Sequence, residues 1–195
     1  MNTTQKKICY VDMDGVLADF ELAIFSTFPE LNKLTKGTPE MAKAIDHVCL
    51  TYGKRIFHDL RPMAYAIEAF HILCHHYEVY ILSTPMWIVP ESYTDKRLWV
   101  ERVLGINAEK KLILSHNKGL CRGDYLIDDR IKHGVEEFQG EHIHFGQAGF
   151  EDWIKVLDYL ATKDNFNPIE TPIPEGIFDV EGWLEMILAF QLHKQ

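Results

Sequence analysis

The stretch YVDMDGVLADF, residues 10–20, sets two aspartates two positions apart at the end of an apolar run. The run itself, KICYVD, is short and rich in β-forming residues, which predicts a buried strand over residues 7–12. In an extended chain, positions i and i+2 point to the same side, so Asp12 and Asp14 can act on one substrate. Gly15 allows a sharp turn behind them and keeps the backbone close to a ligand.

Further polar side chains follow the other predicted strands or belong to the helix after one of them. They are two hydroxyls, two lysines and two carboxylates: Ser83, Thr84, Lys96, Lys118, Asp128 and Asp129. The carboxyl ends of parallel strands meet at one edge of a sheet, so these groups are expected to converge with Asp12 and Asp14.

This set of groups indicates phosphoryl chemistry. Carboxylates gathered in one place raise one another's pKa unless a cation holds them, and oxygen ligands alone favour a hard ion, most simply Mg²⁺. A metal ion, two ammonium groups and a hydroxyl can offset the charge of a phosphoryl group. Asp12 can then attack phosphorus to form an aspartyl phosphate. Asp14 can protonate the leaving oxygen and later deprotonate the attacking water.

The elements that would position these groups alternate along the chain. Strands are predicted at residues 7–12, 78–84, 111–115, 124–128 and 142–145, and helices at 18–28, 39–53, 62–77, 91–105, 150–161 and 180–193. The alternation predicts an α/β fold, with a Rossmann-like parallel sheet covered by helices on both faces. A small helical cap, residues 17–60, is inserted after the first strand and would lie over the ligand crevice. Residues 167–176 carry three prolines and are predicted to be extended.

Composition narrows the class of protein. A chain of 195 residues with 47% hydrophobic and 25% charged residues fits a soluble globular domain. The net charge of −9 argues against a nucleic-acid polymer or an anionic membrane as partner. There is neither a signal peptide nor a membrane-spanning run, which predicts a cytoplasmic location. The four cysteines are widely spaced, which indicates neither a zinc site nor a disulfide framework.

In their order along the chain, these motifs resemble the haloacid dehalogenase superfamily of phosphohydrolases. DMDGV matches its first motif, the Ser83 hydroxyl after VYIL its second, a lysine on a helix its third and LIDDR its fourth. DMDGVLADF, LSTP, DKRLWVERVLG and GDYLIDDR together resemble the 5′(3′)-deoxyribonucleotidase family, over roughly residues 7–160. The resemblance implies a Mg²⁺-dependent phosphatase of nucleoside monophosphates, with deoxyribonucleotides as the expected substrates.

The resemblance also implies a role for each matching residue. The catalytic pair would be the nucleophile Asp12 and the acid/base Asp14. Mg²⁺ would be held by Asp12, the backbone carbonyl of Asp14 and Asp128, with Asp129 orienting the site. The transferring phosphate would be bound by Ser83 and Lys96, helped by Thr84, Lys118 and Arg130. A nucleobase slot would be lined by Phe20 and Phe57, because an aromatic face stacks on a base.

Parts of the chain depart from the family pattern. His116 stands where the pattern has an arginine, and LRPMAYA, residues 60–66, replaces a Pro-Gly-Ala type of turn at the cap hinge. The predicted division is an α/β core of residues 1–16 and 61–162, the cap, and a C-terminal extension, residues 163–195. The extension has no counterpart, and its helix is expected to pack on the core or on the second subunit of a homodimer.

Other functions are compatible with parts of the pattern. A phosphatase of sugar phosphates or other small phosphomonoesters would use the same chemistry. A phosphoaspartate receiver carries its acidic pair on the first strand and its phosphorylated aspartate later, the reverse of the order here. A catalytically silent binding protein has no support, because every catalytic residue type is present. Trp87 and Trp153 are expected to pack, although Trp87 follows the second strand and could border the pocket. His142 and His144 are expected to face one side of a strand without a third metal ligand.

Overall fold

The strands of the protein are short and follow the predicted order. The computed structural model describes residues 5–52, 56–172 and 180–193. Its strands are β1 (Ile8–Val11), β2 (Glu78–Ser83), β3 (Leu112–Leu114), β4 (Tyr125–Asp128) and β5 (Glu141–His144). All five predicted strands are confirmed, and each observed end lies within one residue of the expected one.

Six α-helices separate or follow the strands. They are α1 (Phe20–Thr27), α2 (Pro39–Tyr52), α3 (Ala66–His76), α4 (Glu91–Leu104), α5 (Trp153–Asp164) and α6 (Val180–His193). Asp19 and Asp152 cap α1 and α5, because their side chains accept hydrogen bonds from first-turn N–H groups. α3 begins four residues later than predicted, since Tyr65 before it has a left-handed backbone with φ 61°. Among the described helices, none is long and apolar enough to cross a membrane.

The sheet is parallel throughout, with the strand order β3-β2-β1-β4-β5. The chain proceeds in one direction from β1 to β3 and then crosses to the other side of β1 to form β4. The strand order therefore reverses between β1 and β4. Ligands of open α/β sheets bind outside the carboxyl ends of the strands at such a switch point.

The two faces of the sheet are covered differently. One face is packed by the α-helices in a single large cluster that includes Phe70, Trp99 and Trp153. On the other face, Tyr10, Leu82 and Leu126 are covered by Val135 and Phe138 from a 3₁₀ helix and its end. Both faces are covered as predicted, but the second layer is thin because the connections on either side of β4 contain 3₁₀ helices and no α-helix.

The insertion after β1 contains α1, a 3₁₀ helix (Pro29–Lys33) and α2. Its two links to the rest of the chain are hydrogen-bonded to each other, with an antiparallel bridge between Ala18 and Pro62. The Met63 N–H donates to the Leu17 carbonyl at 2.9 Å beside this bridge. The segment LRPMAYA is therefore hydrogen-bonded to the chain that leads into the insertion and does not form an isolated turn. The division into core, cap and extension stays a prediction.

The C-terminal extension was expected to be extended before its helix. Instead, Pro168–Glu170 forms a 3₁₀ helix, because the Asn167 side chain accepts a hydrogen bond from the Ile169 N–H at 3.2 Å. The rest of the proline-rich stretch, residues 173–179, lies outside the described residues. One side of α6 is buried in the main core through Trp183, Met186 and Phe190. The predicted contact with the core is confirmed, and the homodimer stays a prediction.

Candidate active site

Two carboxylates flank the switch point between β1 and β4. Asp12 directly follows β1, and its N–H donates to the Ile127 carbonyl at 2.9 Å, which prolongs the pairing of the strands. Asp128 is the last residue of β4, and both side chains are buried. Carboxylate oxygens of Asp12, Asp128 and Asp129 lie within 4.8 Å of one another. The fold therefore joins carboxylates from two distant parts of the chain, as the motifs predicted.

This crowding changes the proton affinity of the carboxylates. Burial, followed by the negative charge of Asp12, raises the pKa of Asp128 to about 7. Burial also raises the pKa of Asp129 to about 6. One buried oxygen each of Asp14 and Asp129 accepts no hydrogen bond from the described residues. A bound cation would relieve both conditions, and a donor set made only of oxygen atoms fits Mg²⁺.

Lys118 lies between the two carboxylates at the switch point. Its ammonium donates a hydrogen bond to Asp128 and lies 2.9 Å from an oxygen of Asp12. Burial by itself lowers the pKa of Lys118, but the charges of Asp12 and Asp128 outweigh it and raise the pKa above its ordinary value. The Asn117 side chain caps the short 3₁₀ helix that begins at Lys118. This lysine therefore stays charged in a buried position.

A second lysine, Lys96, contacts Asp14, the other aspartate of the DxD motif. Lys96 on α4 is fully buried, and its ammonium donates to Asp14 at 2.5 Å and to the Ser83 hydroxyl at 3.1 Å. The same ammonium lies 5.0 Å from the centre of the Phe57 ring, within range of a cation–π interaction. The predicted acid/base Asp14 and two of the predicted phosphate-binding residues, Lys96 and Ser83, thus form one hydrogen-bonded group.

Gly15 and Asp129 approach each other very closely. Gly15 has φ 79°, and a Cβ atom at this position would lie 2.6 Å from a carboxylate oxygen of Asp129. Any side chain at residue 15 would therefore be strained and would displace Asp129. The Arg130 N–H donates to Asp128 at 2.9 Å, and the guanidinium donates to Asp129 at 3.4 Å. The turn after β4 thus fixes both members of the late aspartate pair.

An open cleft of about 330 Å³ lies over these groups. It is lined by Asp12, Asp14, Thr84, Lys118, Asp128, Arg130, Lys132 and His133. Lys132 and His133 were not predicted from the sequence. The His133 carbonyl accepts from the Lys118 N–H at 2.6 Å, which draws this loop to the cleft. The available signal was a pair of basic residues soon after a strand end, followed by Gly134 as a turn residue.

Two further histidines act on the backbone of the site. His142 and His144 on β5 stack with their ring centres 5.1 Å apart, which confirms that they face one side of the strand. Their Nε2 atoms lie 3.1 and 3.0 Å from the carbonyl oxygens of Asp128 and Asp129, respectively. A carbonyl only accepts hydrogen bonds, so both Nε2 atoms carry the proton. The sequence predicted the shared face of these histidines but not this contact.

Comparison with known proteins identifies the family. A family model described as 5′ nucleotidase, deoxy (pyrimidine), cytosolic type C protein matches residues 6–157. A protein of Vibrio phage KVP40, provisionally named a 5′(3′)-deoxyribonucleotidase, is 47% identical over 161 residues, which cover 83% of this chain and 88% of that protein. This chain belongs to the 5′(3′)-deoxyribonucleotidase family.

More distant relatives agree with this identification. The human cytosolic-type 5′(3′)-deoxyribonucleotidase is 31% identical over 157 residues, covering 69% of this chain and 77% of the human protein. A haloacid dehalogenase-like hydrolase from Streptococcus pneumoniae superposes with a TM-score of 0.52 at 15% identity, over 79% of this chain and 90% of that structure. The structural likeness supports the superfamily fold, and the sequence likeness supports the deoxyribonucleotidase branch.

In this member of the 5′(3′)-deoxyribonucleotidase family, the two predicted base-slot residues lie together but closed. Phe20 and Phe57 stack with ring centres 5.4 Å apart and planes 10° apart. Phe57 is only 1% exposed and Phe20 only 8%. The two rings cover each other and lie over the part of the site near Lys96. A base could enter between the rings only after they separate. Their role as a base slot stays a prediction.

The two tryptophans that were expected to pack have opposite surroundings. Trp153 is fully buried, and its indole N–H donates to the Val16 carbonyl at 3.0 Å, so its packing role is confirmed. Trp87 is 78% exposed, so it does not pack in the core, and its alternative place at the edge of the pocket stays a prediction. In the loop after β2, its ring lies edge-on to His116, with 5.7 Å between the ring centres.

His116, which departs from the family pattern, contacts a residue of α4. The His116 Nε2 is 2.9 Å from the hydroxyl oxygen of Tyr93 on α4. His116 is not among the residues that line the cleft. The imidazole therefore contacts Trp87 and Tyr93 and does not line the cleft.

Proposed function

We propose that this protein is a Mg²⁺-dependent phosphatase that hydrolyses deoxyribonucleoside 5′- or 3′-monophosphates through an aspartyl phosphate on Asp12. The observation that carries the proposal is the arrangement at the switch point. The buried carboxylate of Asp12, the proposed nucleophile, lies beside the carboxylates of Asp128 and Asp129 and the ammonium of Lys118. The hydrogen-bonded group of Asp14, Lys96 and Ser83 lies next to these residues. Membership in the deoxyribonucleotidase family supports the choice of substrate.

In the first step, a carboxylate oxygen of Asp12 forms a bond to phosphorus while the ester P–O bond breaks. The leaving oxygen takes a proton from Asp14. In the resting protein, the Lys96 ammonium donates to Asp14 at 2.5 Å and to the Ser83 hydroxyl at 3.1 Å. A phosphate dianion can accept hydrogen bonds from Lys96 and Ser83, which would hold the phosphoryl group next to Asp14.

In the second step, ionised Asp14 removes a proton from a water molecule as the water oxygen bonds to phosphorus. The bond between phosphorus and the Asp12 oxygen breaks, which releases inorganic phosphate and restores the carboxylate. Thr84, Lys118 and Arg130 line the same cleft and can donate hydrogen bonds to the phosphoryl oxygens. Because their positions are set before substrate arrives, little reorganisation is needed during the reaction.

Asp12, Asp128 and the backbone carbonyl of Asp14 are the proposed ligands of Mg²⁺, with Asp129 orienting them. When bound, the ion offsets negative charge on the phosphoryl oxygens. The raised pKa of Asp128 and the oxygens without hydrogen bonds support a cation here. Lys118 keeps Asp12 and Asp128 close together, so the site requires little movement to accept a metal ion.

A phosphatase of sugar phosphates would use the same residues at the sheet edge, and it differs from the leading proposal only in what lies beyond the phosphate. We also propose a cytoplasmic location, which the four free cysteines support. The sharpest test of the function is phosphate release from a panel of nucleoside 5′- and 3′-monophosphates, in deoxy and ribo forms, and of sugar phosphates, each with Mg²⁺ or with EDTA.

We expect Mg²⁺-dependent turnover of deoxyribonucleotides, with lower kcat/KM for ribonucleotides and sugar phosphates. Turnover of sugar phosphates alone would retain the mechanism and reject the nucleotide substrate. Equal turnover in EDTA would reject the metal ion. No turnover of any substrate by protein with a cooperative melting transition would reject the enzymatic function.

A further inference from the structure

Lys118 lies between the carboxylates of Asp12 and Asp128 and lines the cleft. It belongs to neither a strand nor an α-helix, but begins a 3₁₀ helix of three residues, Lys118–Leu120. So short a helix closes too few hydrogen bonds to hold its own position. The place of this buried ammonium is therefore set by neighbouring segments of the chain.

The Asn117 side chain fixes the backbone on one side of Lys118. Its Oδ1 accepts from the Gly119 N–H at 2.9 Å, which starts the 3₁₀ helix. The Ser115 hydroxyl accepts from the Asn117 N–H at 3.1 Å and donates to the Asn117 carbonyl at 2.8 Å. Ser115 is anchored to β2, because its N–H donates to the Ser83 carbonyl at 3.0 Å. Asn117 thus connects the 3₁₀ helix to the sheet.

The turn after β4 holds Lys118 from the other side. The His133 carbonyl accepts from the Lys118 N–H at 2.6 Å. His133 and Gly134 both have a left-handed backbone, with φ 55° and 79°, and this conformation is costly for a residue with a side chain. It persists only where the surrounding contacts enforce it, and the hydrogen bond to Lys118 is one such contact.

The loop before Lys118 and the turn after β4 are in close contact. A Cβ atom at Gly134 would lie 2.0 Å from the Asn117 Oδ1. A Cβ atom at Gly119 would lie 2.8 Å from the Gly134 carbonyl oxygen and 2.6 Å from the Glu137 Cβ. Atoms at these distances overlap, so both positions require glycine. The Asn117 side chain therefore fills the space that Gly134 leaves open.

We propose that Asn117, together with the turn of His133 and Gly134, is a positioning residue that keeps the Lys118 ammonium between the two carboxylates. This inference rests on the proposed function and deepens it. Lys118 can offset the charge of Asp12 and of a phosphoryl group without delay only if it is already in place. Asn117 is not among the residues that line the cleft, so it would act through Lys118.

Asn117→Ala removes the cap and leaves Lys118 unchanged. We expect kcat/KM for a deoxyribonucleoside 5′-monophosphate to fall about 10- to 100-fold, because a misplaced catalytic group costs about this much. Asn117→Asp keeps an oxygen acceptor for the Gly119 N–H and should recover most of the loss. The matched control is Asn167→Ala, since Asn167 caps the 3₁₀ helix Pro168–Glu170 in the same way. Both alanine variants should lower Tm by about 2–4 °C, but only Asn117→Ala should lose activity.

Gly134→Ala tests the turn. Its Cβ atom would displace the Asn117 side chain, so kcat/KM should fall to about the level of Asn117→Ala. Combining the two substitutions should cause little further loss, since both act on the same contact. The matched control is Gly146→Ala. Gly146 has the same φ of 79°, and an added Cβ atom would meet no heavy atom within 4 Å, so this variant reports the backbone strain alone.

A double-mutant cycle distinguishes the positioning of Lys118 from a general loosening of the fold. In Lys118→Met there is no ammonium left to position, so adding Asn117→Ala should lower kcat/KM by less than about 2-fold. Asn167→Ala should have the same small effect in both backgrounds. If Lys118→Met does not fold, the comparison of Asn117→Ala with Asn117→Asp and Asn167→Ala still decides.

Urea unfolding supplies a readout that needs no turnover. If Asn117 supports the ion pairs of Lys118, the losses of stability in Asn117→Ala and Lys118→Met should be less than additive in the double variant. This coupling in a wild type that hydrolyses no phosphomonoester would reject the proposed function and retain the positioning role. Unchanged kcat/KM in Asn117→Ala, an equal loss in Asn167→Ala, or additive losses in the cycle would each overturn the inference.

Discussion

The two sides of the cleft are built on opposite principles. At the sheet edge, charged groups are buried and paired, and Lys96, Lys118 and Asp128 have almost no exposed surface. On the aromatic side, Trp87 is open to solvent, whereas Phe20 and Phe57 are closed on each other. The charged side is thus buried and paired, and the aromatic side includes both an exposed and a closed group.

The proposed reaction makes different demands on the two sides, one binding the phosphoryl group and the other the base. Charge that develops on a phosphoryl group is stabilised best by groups already fixed in a site of low dielectric, even though burying those charges is costly for folding. A base gains most from an accessible flat surface and needs no buried charge. Under the proposed function, catalysis would depend on the sheet edge, whereas substrate choice would depend on the loops and the cap. Four experiments test this contrast.

The largest effect is expected for Asp12→Asn. An amide at this position cannot form the aspartyl phosphate, so kcat should fall by on the order of 10⁴-fold or more for nucleotide and base-free substrates alike. Steady-state phosphate release measures the loss. Asp46→Asn makes the same chemical change on the exposed side of α2 and should leave kcat unchanged. Residual activity above a few per cent of wild type would mean that Asp12 is not the nucleophile.

Lys96→Met tests the buried ion pair of the sheet edge. Removal of one partner of a buried pair costs up to about 3–5 kcal/mol, reduced here because the Asp14 side chain keeps 18% exposure and can take up a proton. We expect kcat/KM to fall roughly 10²- to 10³-fold, since Asp14 and the phosphate both lose their cation. Urea unfolding at pH 7.5 measures the loss of stability. A loss no greater than that of the exposed control Lys43→Met would contradict the pairing.

His144 tests whether the sheet edge needs its backbone supports. In His144→Leu the Asp129 carbonyl loses its donor, and we expect affinity for Mg²⁺ to weaken by about 10- to 100-fold, as for other residues that orient metal ligands. His144→Gln restores an N–H at a similar position and should recover most of the affinity. Calorimetric titration with Mg²⁺ measures the change, and His75→Leu on the exposed end of α3 is the control. If the Gln and Leu variants behave alike, the hydrogen bond is irrelevant to metal binding.

The smallest effect concerns pH and stability without metal. Asp128 and Asp129 have raised pKa values of about 7 and about 6 in the folded protein, against 3.8 in the unfolded chain. The folded state therefore binds more protons than the unfolded state between about pH 4 and pH 7, and the stability that protonation supplies is lost as pH rises through this window. With EDTA, Tm should decrease by several degrees over it, since each kcal/mol shifts Tm about 2–4 °C in a chain of this size.

Mg²⁺ should reverse this slope, because it binds the ionised carboxylates and stabilises the folded state by mass action. Asp129→Asn should flatten the slope in EDTA, whereas Trp87→Ala on the aromatic side should not alter it. A Tm in EDTA that rises with pH across the same window would contradict the crowding of the carboxylates. Scanning calorimetry at matched ionic strength distinguishes the two outcomes.

Much of the sheet edge could be predicted because its signals are local. Short apolar runs located all five strands to within one residue, and the parallel order then brought Asp12, Asp14, Lys118 and Asp128 to one edge. The same rule placed Ser83 and Lys96 next to Asp14. The Asn167 cap at the start of the C-terminal extension was missed, because prolines were given more weight than a turn signal beside them.

The exposure and contacts of the aromatic side chains could not be predicted, because no local sequence pattern encodes them. Trp87 and Trp153 are the same residue type after comparable elements, yet one is open to solvent and the other is buried with its indole N–H bonded to Val16. The histidines of β5 were placed on one side of their strand correctly, but the carbonyl groups they hold come from another strand. The sequence by itself determined the strands, their order of motifs and the chemistry at their ends, because hydrophobic period and strand-end position are properties of neighbours in the chain. Only the tertiary structure decided which aromatic rings are exposed and which groups contact the backbone of the aspartates, because exposure and cross-strand contact depend on segments that meet only after folding.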